Sequence, residues 1–192
     1  MVSGFSRSPN ITNVFIENNN LELIGKKIEK IYFGTVIGFP SRGAFISNSK
    51  IKQNFFDFFS FDENCKYYIG SIFGYGSSTY KSPRFEIKLI EITKLKIKVS
   101  SLRNSLNFGG ISGVFVSMYS EMKVEKISFI DCSFFIDFFD FCSHKNVIGT
   151  YSGDPDDSSF DDILFHNSPI VFSFHYNQTC SVFKKKYGIK RK

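Results

Sequence analysis

The densest set of oxygen ligands in the chain lies between Asp154 and Asp162, where Asp-Pro-Asp-Asp-Ser-Ser-Phe-Asp-Asp holds five carboxylates in nine positions. Calcium takes about six to eight oxygen ligands, and a carboxylate-rich loop is the kind of segment that supplies them. The EF-hand spacing is missing, because the sixth position is Ser159 and the twelfth is Phe165, so a solvated turn is expected here and no metal site is assigned. His144, His166 and His175 have neither the i, i+4 spacing of paired ligands nor an adjacent glutamate, although His166 and His175 could meet across neighbouring strands. Cys65, Cys132, Cys142 and Cys180 form no CxxC pair, and free, mostly buried thiols are expected. Asp137 and Asp140 could act as a general acid–base pair, but their Phe-rich setting and odd spacing argue against it. Gly70, Gly74 and Gly76 lead into no helix, so they are not a dinucleotide fingerprint, and neither a P-loop nor GxSxG occurs. No catalytic, cofactor-binding or metal-binding residue is therefore assigned, and a non-enzymatic role is favoured.

The charged side chains point the same way. The chain of 192 residues carries 24 basic and 18 acidic groups, a formal charge of +6. Six of the basic residues, Lys184, Lys185, Lys186, Lys190, Arg191 and Lys192, lie in the last nine positions, and without them 18 basic residues face 18 acidic ones. A nucleic-acid-binding domain spreads basic residues over a face, whereas this excess belongs to a tail, so only weak contact with polyanions is expected, through residues 184–192. Lys94, Lys96 and Lys98 alternate with Leu95, Ile97 and Val99, which is the mark of a strand with one wet and one buried face. These lysines read as an exposed face that guards a sticky strand.

The elements that would carry these groups are mostly strands. The length suits one domain, read as 1–183 followed by the basic tail 184–192. There are 25 Phe, 9 Tyr and no Trp, and Phe, Tyr, Ile and Val favour a pleated, half-buried surface over helix. The spacing of Leu21, Ile24, Ile28 and Ile31 admits a helix over 21–33, against which Gly25 and the β-branched residues compete. Residues 74–83, GYGSSTYKSP, read as a loop, and Phe134–Phe141 as a strand or short helix. Strand signal is clear over 85–99 and 169–176. No apolar run reaches the roughly 18 residues of a membrane helix, and no signal peptide is evident. The sequons Asn10-Ile11-Thr12 and Asn177-Gln178-Thr179 bear on function only in a secreted chain.

One pattern recurs. Gly43-Ala44-Phe45-Ile46-Ser47 matches Gly113-Val114-Phe115-Val116-Ser117, and each copy leads through a polar gap into an alternating strand closed by aspartate, at Asp62 and Asp131. Ile163 to Ser168 returns to a similar outline. An offset of 70 residues between the two full copies suggests an internal repeat with decayed intermediates. The pattern resembles right-handed parallel β-helix proteins, and is most similar to the repeats of polymorphic outer-membrane-type surface proteins. That resemblance covers under half of the chain. It implies an all-β solenoid of short stacked strands, with an antiparallel β-sandwich or jelly roll as the alternative. It also implies a surface or secreted setting and a non-catalytic, adhesin-like role in contact with protein or glycan surfaces. A carbohydrate-binding or carbohydrate-cleaving β-helix protein is the second functional expectation. Neither terminus resembles the cap that a solenoid end requires, so a piece of a longer solenoid is an expectation as well.

Overall fold

Phe, Ile and Val recur on one side of successive short strands, and they meet because the chain coils back on itself at a near-constant pitch. The computed structural model describes residues 3–25, 29–60, 65–78, 84–101, 105–117, 122–138, 147–149 and 158–174. These residues contain no helix and form a parallel β-solenoid of about 3 turns. The first sheet stacks Ser3–Arg7, Ile37–Ser41, Phe73–Ser78 and Ser112–Ser117. In the second sheet the short strands Asn10–Thr12 and Phe15–Glu17 lie beside Ala44–Lys52, followed by Phe85–Thr93, Met122–Ile130 and Ser158–His166. The third stacks Asn20–Gly25, Phe55–Ser60, Lys96–Ser101, Ser133–Phe138 and Ile170–Phe174, and the fourth Lys30–Gly34, Lys66–Gly70, Ser105–Gly109 and Val147–Gly149. Every ladder is parallel and joins residues about one turn apart, from Ser3 beside Ile37 to Phe45 beside Glu86. A sandwich of antiparallel sheets is thereby excluded.

The interior is a set of columns. Leu23, Phe58, Val99 and Ile136 share one, and Ile11, Ile46, Ile87 and Val124 another. Phe58, Ile46, Ile87, Val99, Val124 and Ile136 are fully buried, each a gain of about 1.5–3 kcal/mol over exposure. Phe33 of the fourth sheet packs at 4.7 Å on both Phe56 and Phe58 of the third, which ties opposite walls together. The helix admitted over 21–33 does not form. Leu21 and Leu23 align on Phe56 and Phe58, and Ile31 on Tyr67, so tertiary pairing decides in favour of two strands. The 70-residue offset is not the structural repeat either. Ala44 aligns with Phe85 and Met122 in the second sheet, whereas Ser112 aligns with Phe73 in the first, so the two matching motifs sit on different walls. Composition also misled at 74–83, because Phe73–Ser78 is a strand paired on both sides, while 79–83 lie outside the described residues. Phe134–Phe138 is strand, and 139–141 are likewise outside.

Corners are made by single residues in the left-handed region. Asn18, Gln53, Lys94, Asp131 and Asn167, with φ between 48° and 57°, turn the chain from the second sheet into the third. A second column bends the second sheet at its midpoint: Asn13, Asn48, Leu89, Lys126 and Asp162, with φ from 50° to 56°. This extra bend resets the two-residue alternation, so that both Ile46 and Ile51 point inward from one strand. Behind the second-to-third corner Asn54, Leu95 and Cys132 are buried, and Asn19 and Ser168 bond to Asn54 and Cys132 at the two ends of this column. Asn54 is buried there; its amide donates to the Ile16 and Lys52 carbonyls, and its Oδ1 accepts from the Asn19 N–H at 2.9 Å.

The corner from the fourth sheet to the first works differently. Gly34, Gly70, Gly109 and Gly149 are aligned, and Gly4, Gly38, Gly74 and Gly113 stand in the first sheet at the far side of the bend. A Cβ on Gly74 would lie 2.4 Å from the Phe33 nitrogen and 2.5 Å from the Tyr68 carbonyl oxygen. Backbone packs directly on backbone, and only glycine leaves room for it.

Candidate functional site

One surface feature lies on the outer side of the third sheet. An open trough of about 320 Å³ runs across it, lined by Glu22, Ile24, Asp57, Phe59, Lys98, Ser100 and Asp137. The ladder places Glu22, Asp57 and Lys98 in one row, and Ile24, Phe59, Ser100 and Asp137 in the next. Strand alternation sends all of them outward while Leu23, Phe58, Val99 and Ile136 fill the core between the rows. Lys98 Nζ pairs with Asp57 Oδ2 at 3.2 Å. Ile24, Phe55, Phe135 and Val171 are exposed around the trough. Charged groups of both signs thus alternate with bare apolar side chains on one face.

A second cluster lies outside the glycine corner. Tyr32 and Tyr68 stack at 5.0 Å, Phe39 and Tyr75 of the first sheet meet them edge-on or tilted at 5.3–5.6 Å and each other at 5.0 Å, and Phe5 stands at the end of the row. Burial, and then the neighbouring Tyr32 and Tyr75 hydroxyls, push the Tyr68 phenol above its ordinary range; burial and Tyr32 do the same for Tyr75. These rings are packed against one another, so the cluster holds the two sheets together more than it offers free ring faces. Tyr67 is core, while Tyr80, Tyr119 and Tyr151 lie outside the described residues.

The other residues weighed for chemistry scatter. Asp161 and Asp162 belong to the strand Ser158–His166 and are exposed, while 154–157 are outside the described residues, as are Asp140, His144, His175, Cys142, Cys180 and the basic tail. His166 ends that strand, exposed. Among the described residues no three His, Cys, Asp or Glu side chains converge as metal ligands would. Cys65 and Cys132 are buried thiols outside any disulfide, and burial pushes the Cys132 thiol up. Lys96 and Lys98 are outward on the third sheet, and Leu95, Ile97 and Val99 are buried, as their alternation predicts. Their strand lies inside the stack between Phe55–Ser60 and Ser133–Phe138, so the lysines guard no edge; Lys98 instead meets Asp57. Sequence reasoning missed the trough because its carboxylates, Glu22, Asp57 and Asp137, are far apart in the chain and meet only through register.

No family model matches this chain, and neither does any curated protein or solved structure. Among the described residues no helix is long and apolar enough to cross a membrane.

Proposed function

We propose that the chain is a non-catalytic surface or interaction module whose binding face is the outer side of the third sheet. The observation that carries this reading is the exposure of Ile24, Phe55, Phe135 and Val171 on one five-stranded face, beside a charged trough. Apolar anchors set beside charged groups on one rigid face are the elements from which contact sites are built. The stacked coils support a β-helix repeat; the finer likeness to polymorphic outer-membrane-type surface proteins, and an adhesin-like role at a cell surface, belong to this proposal. A carbohydrate-binding or carbohydrate-cleaving role is the second reading, favoured by Glu22, Asp57 and Asp137 in one trough.

The test is a parallel screen of the immobilised chain against purified surface proteins and polysaccharides. Binding to a protein that weakens at least tenfold in the Phe55→Lys/Phe135→Lys variant, with no polysaccharide cleaved, is expected. Release of sugar from any polysaccharide would overturn the non-catalytic reading. Binding indifferent to the double variant would remove the third sheet from it.

A further inference from the structure

The two ends of the solenoid differ from its sides. Among the described residues nine large apolar side chains are exposed, and six of them belong to the first or last tier: Phe5, Phe15, Leu21, Ile24, Leu164 and Val171. Phe15 is 58% exposed and Leu164 54%. Both point outward from the second sheet, and the ladders place them in one column: Phe15 beside Lys50, Lys50 beside Glu91, Glu91 beside Ser128, Ser128 beside Leu164. The three inner positions are polar, as a wet face requires. Apolar residues occupy this column only in the two tiers that face along the axis. Burial changes in the same sense at the last tier, where the inward residues Ile163, Phe165 and Ile170 are only partly covered.

We infer that the chain associates head to tail with a second copy of itself, the first tier of one copy adding to the last tier of another and extending the second and third sheets. The register supplies the fit. Continuing each column across the junction sets Phe15 on Leu164, Ile16 on Phe165 and Leu21 on Ile170. The corner residues continue too, because Asn13 falls on Asp162 and Asn18 on Asn167, all four in the left-handed conformation. Within the chain Asn167 already donates to Asp131 at 2.8 Å across this corner, so the neighbouring asparagine would continue a bond type the fold uses. Glu17 meets His166, and Asp161 meets Thr12, so no like charges are opposed on this sheet. Among the described residues no strand is added to the outer edge of the first or last tier; such edges are templates for added strands, and a contact between two different ends does not close on itself. This surface shares Ile24 and Val171 with the face proposed above for partner binding, but Phe15 and Leu164 of the second sheet lie outside that face.

Sedimentation velocity of the full chain over a wide concentration range tests the inference. A series of growing species is expected for the wild type. Phe15→Lys leaves the last tier intact and Leu164→Lys leaves the first intact, so each variant alone should be monomeric while an equimolar mixture gives a dimer and nothing larger. Both side chains are exposed, and unchanged circular dichroism and melting show that neither substitution acts through folding. A wild type monomeric at every concentration, or a mixture that remains monomeric, overturns the inference. So does a wild type that associates only after residues 175–192 are deleted, which would assign the last tier to that segment. Phe135→Lys on the side of the third sheet should leave the assembly unchanged, which separates failure here from failure of the partner-binding reading.

Discussion

Leu89 is the residue least suited to its place. It occupies the mid-sheet bend with φ at 56°, where the column otherwise holds Asn13, Asn48, Lys126 and Asp162, and it is 46% exposed. A left-handed conformation costs a residue with a Cβ about 1–2 kcal/mol, and asparagine recovers part of that through its short polar side chain. Leu89→Asn should therefore stabilise the protein by about 0.5–1 kcal/mol, read as a raised urea midpoint with unchanged slope. Asn54 behaves in the opposite way. Its neighbours in the inward column include Leu95 and Cys132, so leucine fits the site by size, yet Asn54→Leu strips the Asn19 N–H and the Ile16 and Lys52 carbonyls of their partner. A loss of about 2 kcal/mol is expected in the same denaturation measurement.

At the scale of the element, the glycine corner sets the shape of the coil. Gly74→Ala would press a methyl group on two backbone atoms that belong to other strands, and neither can move without shifting a sheet. A cost of at least about 3 kcal/mol follows, against a change within about 0.5 kcal/mol for Gly4→Ala, which meets nothing within 4 Å. The aromatic cluster at the same corner predicts an alkaline limit. Tyr68 and Tyr75 have raised pKa values in the fold, so their neutral forms are favoured there. That contribution is fully present below the ordinary tyrosine value and is lost as pH climbs through the raised ones. The melting temperature should fall above about pH 10, and less steeply in Tyr68→Phe/Tyr75→Phe. Strand type was legible in the alternation of Leu95, Ile97 and Val99, which belongs to the strand and its immediate neighbours. The repeat was harder to read. GTVIG at 34–38, GSIFG at 70–74, GGISG at 109–113 and GTYSG at 149–153 mark it, but their spacing drifts through 36, 39 and 40 residues, and the three residues between the glycines vary. A fixed-offset match at 70 residues was therefore drawn to motifs on two different walls. The trough was illegible for a related reason, since outward residues carry no period of their own and become neighbours only once the register is known.

At the scale of the molecule, charge and fold are separable. The residues outside the tail carry equal numbers of basic and acidic groups, and on the second sheet these pair in place, as in Lys52 with Glu17 at 3.2 Å and Lys50 with Glu91 at 3.4 Å. Such exposed pairs contribute at most about 1 kcal/mol each, and they leave little net field to attract a polyanion. Deleting residues 184–192 should abolish retention on heparin at low salt and leave the melting temperature unchanged. Retention that survives the deletion would move the attraction to Lys94, Lys96 and Lys98.

The ladders also govern how the chain reaches this state. Among the described strands every pairing spans one whole turn, from 34 residues between Ser3 and Ile37 to 41 between Phe45 and Glu86. Among the described residues no hairpin offers local nucleation, so the first two turns must close a long loop before any contact rewards it. Each later turn has a finished template to lay itself on, and closes a loop of nearly the same length. Refolding should thus be slow to begin and quick to spread, proceeding as growth from an edge rather than as collapse of the whole chain at once.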